Sequence, residues 1–300
     1  MGHDAHHHHH HHHHNDQDER ILRNAFILIA SFMVVELAVG LSANALVLIA
    51  DAGHMFLDAS ALALAWWAAR ISKRDSDHSL SYGYHRFQVL AAFINGLTLV
   101  ALVVWIAVEA TSRLLAPEPM IPGPTLLVAV AGMVINLIAF KMLHSSSNNA
   151  NIRGAALHVL GDLLGSVAAI LAAGAVYLFG WHYADPLLAL LIVVILSRGA
   201  YRVIKESAHI LLEGVPHGVD LSEIRQVLCQ QIPDLVGVHH IHAWALTAEK
   251  PLITLHAQVE NESQIPNVTT QVKAVLNDKF GINHSTIQVE LEQCPDEEGI

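Results

Sequence analysis

Long uninterrupted apolar stretches constrain this chain more than any other feature of its sequence. A helix rises 1.5 Å per residue, so about 20 consecutive apolar residues cross the roughly 30 Å hydrocarbon layer of a bilayer. Six stretches reach that length, and they are 21–41, 43–69, 87–115, 124–143, 152–180 and 184–204. Only 14% of the 300 residues are charged, whereas 53% are apolar. This balance is typical of a membrane protein, and the sequence predicts a mostly α-helical bundle of six transmembrane helices.

Basic residues indicate which loops face the cytoplasm, because loops rich in Lys and Arg are retained on that side. Eleven basic residues flank the apolar stretches on one side, and they are Arg20, Arg23, Arg70, Lys73, Arg74, Arg86, Lys141, Arg153, Arg198, Arg202 and Lys205. The loops on the other side contribute only Arg113. Both termini are therefore expected in the cytoplasm. The net charge of -11 argues against a nucleic-acid partner, which would require a basic surface.

The two ends of the chain are polar. Residues 1–19 include nine consecutive His at 6–14, and this run is either a purification tag or a metal-gathering tail. Residues 1–19 and 295–300 are expected to be disordered. No apolar segment precedes a cleavage site, so the first apolar stretch is expected to be a retained span. The two cysteines, Cys229 and Cys294, do not indicate a disulfide framework and favour a reducing compartment.

A soluble module is predicted after the transmembrane domain, which covers residues 20–206. Within 207–294, segments 220–231 and 266–280 read as helices, with Asp220 as the cap of the first. Strands are predicted at 236–246, 252–259 and 286–291, the first two of which alternate apolar and polar residues. The order αββαβ predicts a small α+β sandwich of the ferredoxin or metallochaperone type, placed in the cytoplasm by the charge distribution.

Two of the apolar stretches carry the same motif, His-x-x-x-Asp. The motif places His54 with Asp58, and His158 with Asp162, on one helix face and one turn apart. Each carboxylate near the bilayer centre costs about 2.5–3.5 kcal/mol, which requires compensation. Two nitrogen and two oxygen donors suit tetrahedral Zn²⁺, whereas Mg²⁺ prefers more oxygens. A single pair is also explained by a hydrogen bond between helices, but two identical pairs in separate spans favour a metal site.

These motifs resemble a known family. The segments LIADAGHMFLDA (48–59) and AALHVLGDLLGS (155–166) are similar to the two metal-site helices of the cation diffusion facilitator family. Two further segments resemble the same family, Tyr82–Arg86 at the entry to the third span and Leu212–Gly214 after the sixth. The resemblance extends from about Arg20 to Cys294 and indicates the bacterial zinc exporter type. It implies a homodimeric metal/proton antiporter of the bacterial inner membrane rather than an enzyme, with Zn²⁺ as cargo and as regulatory ligand. It also implies alternating access at His54, Asp58, His158 and Asp162.

The same resemblance implicates a second metal site in the soluble module. Its residues would be His239, His256, His284 and Glu290, and Cys294 lies nearby in sequence. Strand alternation places His240 and His242 on one face and His239 on the other. The alternative is a surface cluster of His with no metal role. If the site is real, zinc would bridge or clamp the two modules of a dimer, and transport would accelerate as cytoplasmic zinc rises.

Other polar residues have more than one interpretation. Asp51 either contacts an imidazole or faces a water-filled vestibule, and Glu36 lies toward a helix end where it would be solvated. Asn136 is expected to form a hydrogen bond between helices. In the loop between the second and third spans, Asp77 and His78 belong either to an additional metal site or to a solvated polar loop.

Two other functional classes are weighed against transport. An intramembrane metallohydrolase would need a general base beside the metal, and the sequence contains no His-Glu-x-x-His run. A metal sensor that does not transport would signal through the soluble module, and nothing in the sequence resembles an attached effector domain. Zinc flux into proteoliposomes distinguishes a transporter from both alternatives.

Overall fold

The computed structural model describes residues 12–72, 74, 76–144, 150–291 and 294. In helix α5 the side chains of residues 150–158, 160 and 161 lie outside the described set. Six long helices come first, and they are α1 (His12–Ser42), α2 (Leu46–Ser72), α3 (Arg86–Leu115), α4 (Pro122–His144), α5 (Ala150–Phe179) and α6 (Ala184–Leu211). The predicted order of six long helices is thereby confirmed.

Four of these helices are long and apolar enough to cross a membrane over the residues that the structure describes. They are α3, α6, the Pro122–Met142 part of α4 and the Asp162–Phe179 part of α5. In α1 the described apolar part is the shorter Ile27–Ser42. The mostly helical membrane fold is confirmed, with four of the six predicted spans meeting this criterion in full.

Helix α1 begins earlier than the sequence indicated. Its first residue is His12, so residues 12–19 are helical rather than disordered. Gln17, Glu19 and Arg20 are good helix formers, and extending an existing helix avoids the free-energy cost of nucleating a new one. The remainder of the His run in residues 1–11, and the tail 295–300, lie outside the described residues.

The chain divides into two compact units, of which the first consists of residues 1–63 and 95–201. Its core is built from aliphatic and small side chains, and a continuous segment of α2, Leu46–Ala52, is at most 7% exposed at every residue. Helix α5 contributes a row of buried alanines, Ala168, Ala169, Ala172 and Ala173. Small side chains allow helix backbones to approach closely, which is how helices pack where water cannot drive their association.

The second unit, residues 64–94 and 202–300, contains the soluble module. Its elements are α7 (Leu221–Gln231), β1 (Gly237–Ala245), β2 (Pro251–Gln258), a short 3₁₀ turn (Glu262–Gln264), α8 (Ile265–Phe280) and β3 (His284–Glu290). The αββαβ order is confirmed, and the 3₁₀ turn is an addition to it. The Asp220 carboxylate accepts hydrogen bonds from the backbone N–H groups of Ser222 and Glu223, which confirms the predicted cap of α7.

The three strands of this module form one sheet in the order β1-β2-β3. Strands β1 and β2 are antiparallel, whereas β3 joins β2 in parallel after α8 has crossed over. Alternate residues of β2, Ile253, Leu255 and Ala257, pack in one buried cluster with Leu228 of α7 and Val272 of α8. The opposite strand face is therefore available for polar side chains, and it carries His256.

Candidate metal centres

The two donors on α2 are already close together. His54 Nδ1 lies 3.3 Å from Asp58 Oδ2, as expected for residues four positions apart on a helix. Their side chains are 22% and 25% exposed, although the preceding segment of α2 is buried. An imidazole nitrogen and a carboxylate oxygen thus lie side by side on a partly exposed face of an otherwise apolar helix.

Helix α5 supplies the other half of the predicted centre. Asp162 is fully buried, and His158 lies in the same helix four residues earlier, with a side chain outside the described set. Among the described side chains, the ligand atoms of His54, Asp58 and Asp162 do not all lie within 4.8 Å of one another. The structure brings His54 and Asp58 together but does not assemble these three, so the four-ligand centre stays a prediction.

Two further carboxylates lie in the interior of the transmembrane unit. Glu36 of α1 is 1% exposed and Asp51 of α2 is 3% exposed. Within the described part of the chain, both carboxylate oxygens of Glu36 lack a hydrogen-bond partner, and so does Oδ2 of Asp51. The burial of Glu36 contradicts the expectation that it is solvated, and the burial of Asp51 contradicts a position facing a vestibule.

Asp51 approaches the backbone of α5 very closely. A Cβ added to Gly165 would overlap all three atoms of the Asp51 carboxylate group, so the absence of a side chain at this position makes the contact possible. One residue further on, Ser166 Oγ accepts a hydrogen bond of 3.4 Å from Asn136 Nδ2 of α4. This contact confirms the hydrogen bond between helices that was predicted for Asn136.

A second candidate centre lies at one end of the sheet in the soluble module. Ligand atoms of His239, His256, Glu290 and Cys294 all lie within 4.8 Å of one another. His239 Nε2 is 3.1 Å from Glu290 Oε2, and His256 Nδ1 is 2.8 Å from Glu290 Oε1. His256 Nδ1 is also 3.3 Å from Cys294 Sγ. Two imidazoles, one carboxylate and one thiol form a donor set that suits tetrahedral zinc.

The Glu290 carboxyl is the electrostatic centre of this group. Burial acts to raise the pKa of Glu290, but a hydrogen bond from Gln288 and the neighbouring His256 and His239 lower it more, so its pKa lies below the ordinary value. A hydrogen bond from Cys294 acts in the same direction. The ionised form, which is the form that binds metal, is therefore favoured at this position.

His284 does not join this cluster. In the parallel register of β2 and β3, His284 stands beside Leu252, whereas Glu290 stands beside Gln258 at the other end of the strand. The exposed ring of His284 instead faces Tyr82, with ring centroids 6.2 Å apart. Among the described residues, the cluster of candidate ligands therefore contains Cys294 and not His284, and the ligand set of the centre stays a prediction. The thiol lies only four residues beyond the predicted ligand Glu290, which is the signal that pointed to it.

A β-bulge changes the arrangement of the histidines on β1. The register between β1 and β2 shifts between His239 and His242, and His240 has a left-handed backbone with φ of 47°. Its ring stacks on His256, with centroids 5.1 Å apart. The predicted alternation, with His240 and His239 on opposite faces, is wrong because the extra residue of the bulge turns both side chains toward His256.

The loop that precedes α3 is organised around Asp77. Its Oδ1 accepts hydrogen bonds from Ser79 N, Ser79 Oγ and Leu80 N, and its Oδ2 accepts one of 2.6 Å from the Tyr84 hydroxyl. These hydrogen bonds, led by that from Tyr84, hold the pKa of Asp77 well below its usual range. Both carboxylate oxygens are engaged within the loop, which favours a polar loop over an additional metal site at Asp77.

Comparisons with known proteins agree with this architecture. The family model described as the cation efflux transmembrane domain matches residues 22–212, and the cation efflux protein cytoplasmic domain matches residues 216–292. The chain therefore belongs to the cation efflux, or cation diffusion facilitator, family. It is a multi-pass integral membrane protein, and membership in this family confirms the expectation that it is a transporter rather than an enzyme.

Several named proteins are similar to the chain over most of its length. The zinc transporter ZitB of Escherichia coli K12 is 42% identical over 277 residues, which cover 92% of this chain and 88% of that protein. A cadmium, cobalt and zinc/H⁺-K⁺ antiporter of Bacillus subtilis 168 is 36% identical over 281 residues, covering 92% and 90%. The solved metal-bound C-terminal domain of the CzcD transporter of Cupriavidus metallidurans is 36% identical over 24% of this chain and all of that domain, with a TM-score of 0.22.

Proposed function

We propose that this transporter exports zinc from the cytoplasm in exchange for protons, by alternating access at His54, Asp58, His158 and Asp162. The observation that carries the proposal is the accessible His54–Asp58 pair, which follows the buried segment Leu46–Ala52 of α2 and has its two donor atoms 3.3 Å apart. Binding of zinc would draw this pair and the two donors of α5 around one ion. Four ligands of this kind complete a tetrahedral shell without cysteine.

The chemistry of the donors supports coupling to protons. Zinc binds neutral imidazole and ionised carboxylate, so loading the site with metal releases protons and unloading it takes protons up. A site that loads zinc on the cytoplasmic side and takes up protons on the other side therefore exchanges the two. The transporters ZitB and the zinc/H⁺-K⁺ antiporter, to which the chain is similar, support zinc as the cargo and protons as the counter-ion.

The distribution of basic residues supports an orientation with both termini in the cytoplasm, and the family assignment supports the bacterial inner membrane and a homodimer. In the soluble module we place a regulatory zinc on His239, His256, Glu290 and Cys294. All four ligands come from one chain and fill a tetrahedral shell. This zinc would order the module and tie Cys294 to the sheet, and it would thereby clamp the module in the form that meets its partner in a dimer.

Zinc flux in proteoliposomes tests the proposal. The parent chain, Asp162→Ala and the matched surface variant Asp278→Asn are reconstituted with a zinc-sensitive dye in an acidic lumen, so that the cytoplasmic face of the inverted fraction sees external zinc. The parent chain and Asp278→Asn are expected to accumulate zinc and to alkalinise the lumen, whereas Asp162→Ala is expected to do neither. Zinc uptake that ignores the proton gradient would refute antiport, and uptake by Asp162→Ala equal to that of the parent chain would refute the site.

A further inference from the structure

A buried polar network joins three helix ends within the transmembrane unit. Asp185, in the first turn of α6, is 2% exposed. Its Oδ2 accepts a hydrogen bond of 2.9 Å from Leu46 N and its Oδ1 one of 3.0 Å from Val47 N, both in the first turn of α2. Free N–H groups at a helix start are usually capped by the residue just before them, but here the cap comes from a residue 139 positions away.

Arg113, in the last turn of α3, completes the network. Its guanidinium donates two hydrogen bonds to Asn44, from Nη1 to the backbone carbonyl at 2.8 Å and from Nη2 to Oδ1 at 2.7 Å. The same Nη1 lies 3.7 Å from Asp185 Oδ2. Nε donates to Glu109 on the same helix at 2.9 Å, and Glu118 lies 4.0 Å from Nη2 at the exposed edge. We call Asn44, Arg113 and Asp185 the polar latch.

The polar latch fixes the start of the helix that carries half of the transport site. Leu46 and His54 are eight residues apart, which is about 12 Å along an α-helix. Every residue from Leu46 to Ala52 is almost completely buried, whereas His54 and Asp58 beyond them are partly exposed. The axial position of α2 at the latch therefore sets the position of His54 and Asp58, and the buried segment between them closes the site on the latch side.

We infer that Asp185 and Arg113 are positioning residues of transport. The closed polar latch keeps the transport site inaccessible from the side of the membrane on which the latch lies. The latch opens when the transport site becomes accessible from that side. This inference rests on the proposed alternating access. A network of charges suits such a reversible contact, because each group that separates can be hydrated by water entering from the exposed Glu118 edge. An apolar seal at the same place would offer water no hydrogen bonds.

Access to a thiol reporter tests the inference. The reporter is Ala50→Cys in the full chain, at a position buried in α2 between the latch and the site. A membrane-impermeant maleimide is applied to each side of the membrane in turn. The native Cys229, exposed in α7, identifies the side of the soluble module. With the latch intact, the reporter is expected to label slowly from the side opposite Cys229, and Asp185→Asn should raise that rate about tenfold or more.

Two variants make the result specific. Glu118 accepts a hydrogen bond of 2.9 Å from Asn44 Nδ2, and the side-chain oxygen of Glu118→Gln can still accept it. This variant therefore removes only an exposed charge 4.0 Å from Arg113, which contributes little, and is expected to leave the labelling rate unchanged. Arg113→Lys keeps the charge but loses the two-pronged contact with Asn44, so its rate should lie between those of the parent and Asp185→Asn. A role limited to stability would lower the yield of folded protein without changing the side from which the reporter is reached.

The inference is overturned if folded Asp185→Asn and Arg113→Lys label no faster than Glu118→Gln, or if the parent reporter already labels as fast as they do. If Asp185→Asn does not fold, Arg113→Lys and Asn44→Ala carry the same comparison. Zinc flux of the parent chain is measured in the same membranes. Absent parent flux refutes the proposed function, whereas normal parent flux with unchanged reporter access refutes the polar latch alone.

Discussion

The contact between Asp51 and Gly165 predicts a large difference between two glycines of the same helix. In Gly165→Ala the new Cβ would overlap the Asp51 carboxylate, and because Asp51 is buried it has little room to rotate away. Overpacking of this kind costs about 1–3 kcal/mol, which corresponds to roughly a 5- to 150-fold change in an equilibrium. Gly174→Ala is the matched control, because a Cβ there meets nothing within 4 Å.

The two variants are compared by the half-time of inactivation in detergent at one temperature. Gly165→Ala is expected to lose folded protein much faster than the parent chain, whereas Gly174→Ala should be equal to it or gain up to about 1 kcal/mol from its better helix propensity. Asp51→Ala in the Gly165→Ala background should relieve the overlap, so the two changes should not be additive. Equal half-times for Gly165→Ala and Gly174→Ala would refute the close packing of α2 on α5.

Three further predictions concern the two metal centres and the loop. Cys294→Ser should weaken zinc binding at the cytoplasmic centre by about 10-fold or more in a chelator competition, whereas His284→Ala should leave it unchanged. Weaker binding in His284→Ala with unchanged binding in Cys294→Ser would instead support His284 as the ligand, as the sequence predicted. Tyr84→Phe should raise the pKa of Asp77 toward its ordinary value of about 3.9, as followed by carboxyl carbon NMR. These hydrogen bonds stabilise the ionised Asp77 carboxylate, so their contribution to the stability of the loop is fully present when the pH is above the ordinary pKa. It is lost as the pH falls through the lower pKa of the folded protein. An unchanged pKa of Asp77 in Tyr84→Phe would contradict this account. Asp58→Asn should abolish zinc flux without changing zinc binding at the cytoplasmic centre, and retained flux would remove Asp58 from the transport site.

Local sequence patterns were sufficient for most of the fold. Runs of about 20 apolar residues located the six helices, and period-two alternation located β1 and β2, because burial acts on each segment separately. The cap at Asp220 was predictable for the same reason, since a side chain and the N–H groups it caps lie within three residues. The His-x-x-x-Asp pairing on α2 follows directly from helix geometry.

Features that depend on the pairing of distant segments were not predictable in this way. The choice between His284 and Cys294 depends on the parallel register of β2 and β3, which no single segment encodes. The bulge at His240 arises from the pairing of two strands and breaks the alternation that the sequence shows. The burial of Glu36 and the capping of α2 by Asp185 likewise depend on contacts between helices far apart in the chain.

X-ray absorption at the zinc edge tests the central claim most directly, because the two proposed centres have different donors. The chain without the His run 6–14 and carrying His239→Ala, His256→Ala, Glu290→Gln and Cys294→Ser lacks both the polyhistidine segment and the cytoplasmic centre. Its bound zinc should show four nitrogen or oxygen neighbours at about 2.0–2.2 Å, with imidazole scattering and no sulfur. The spectrum of bound zinc should disappear when Asp162→Ala is added to this variant. Six oxygen neighbours without imidazole, or zinc that persists unchanged after Asp162→Ala, would contradict a site built from the two His-x-x-x-Asp pairs.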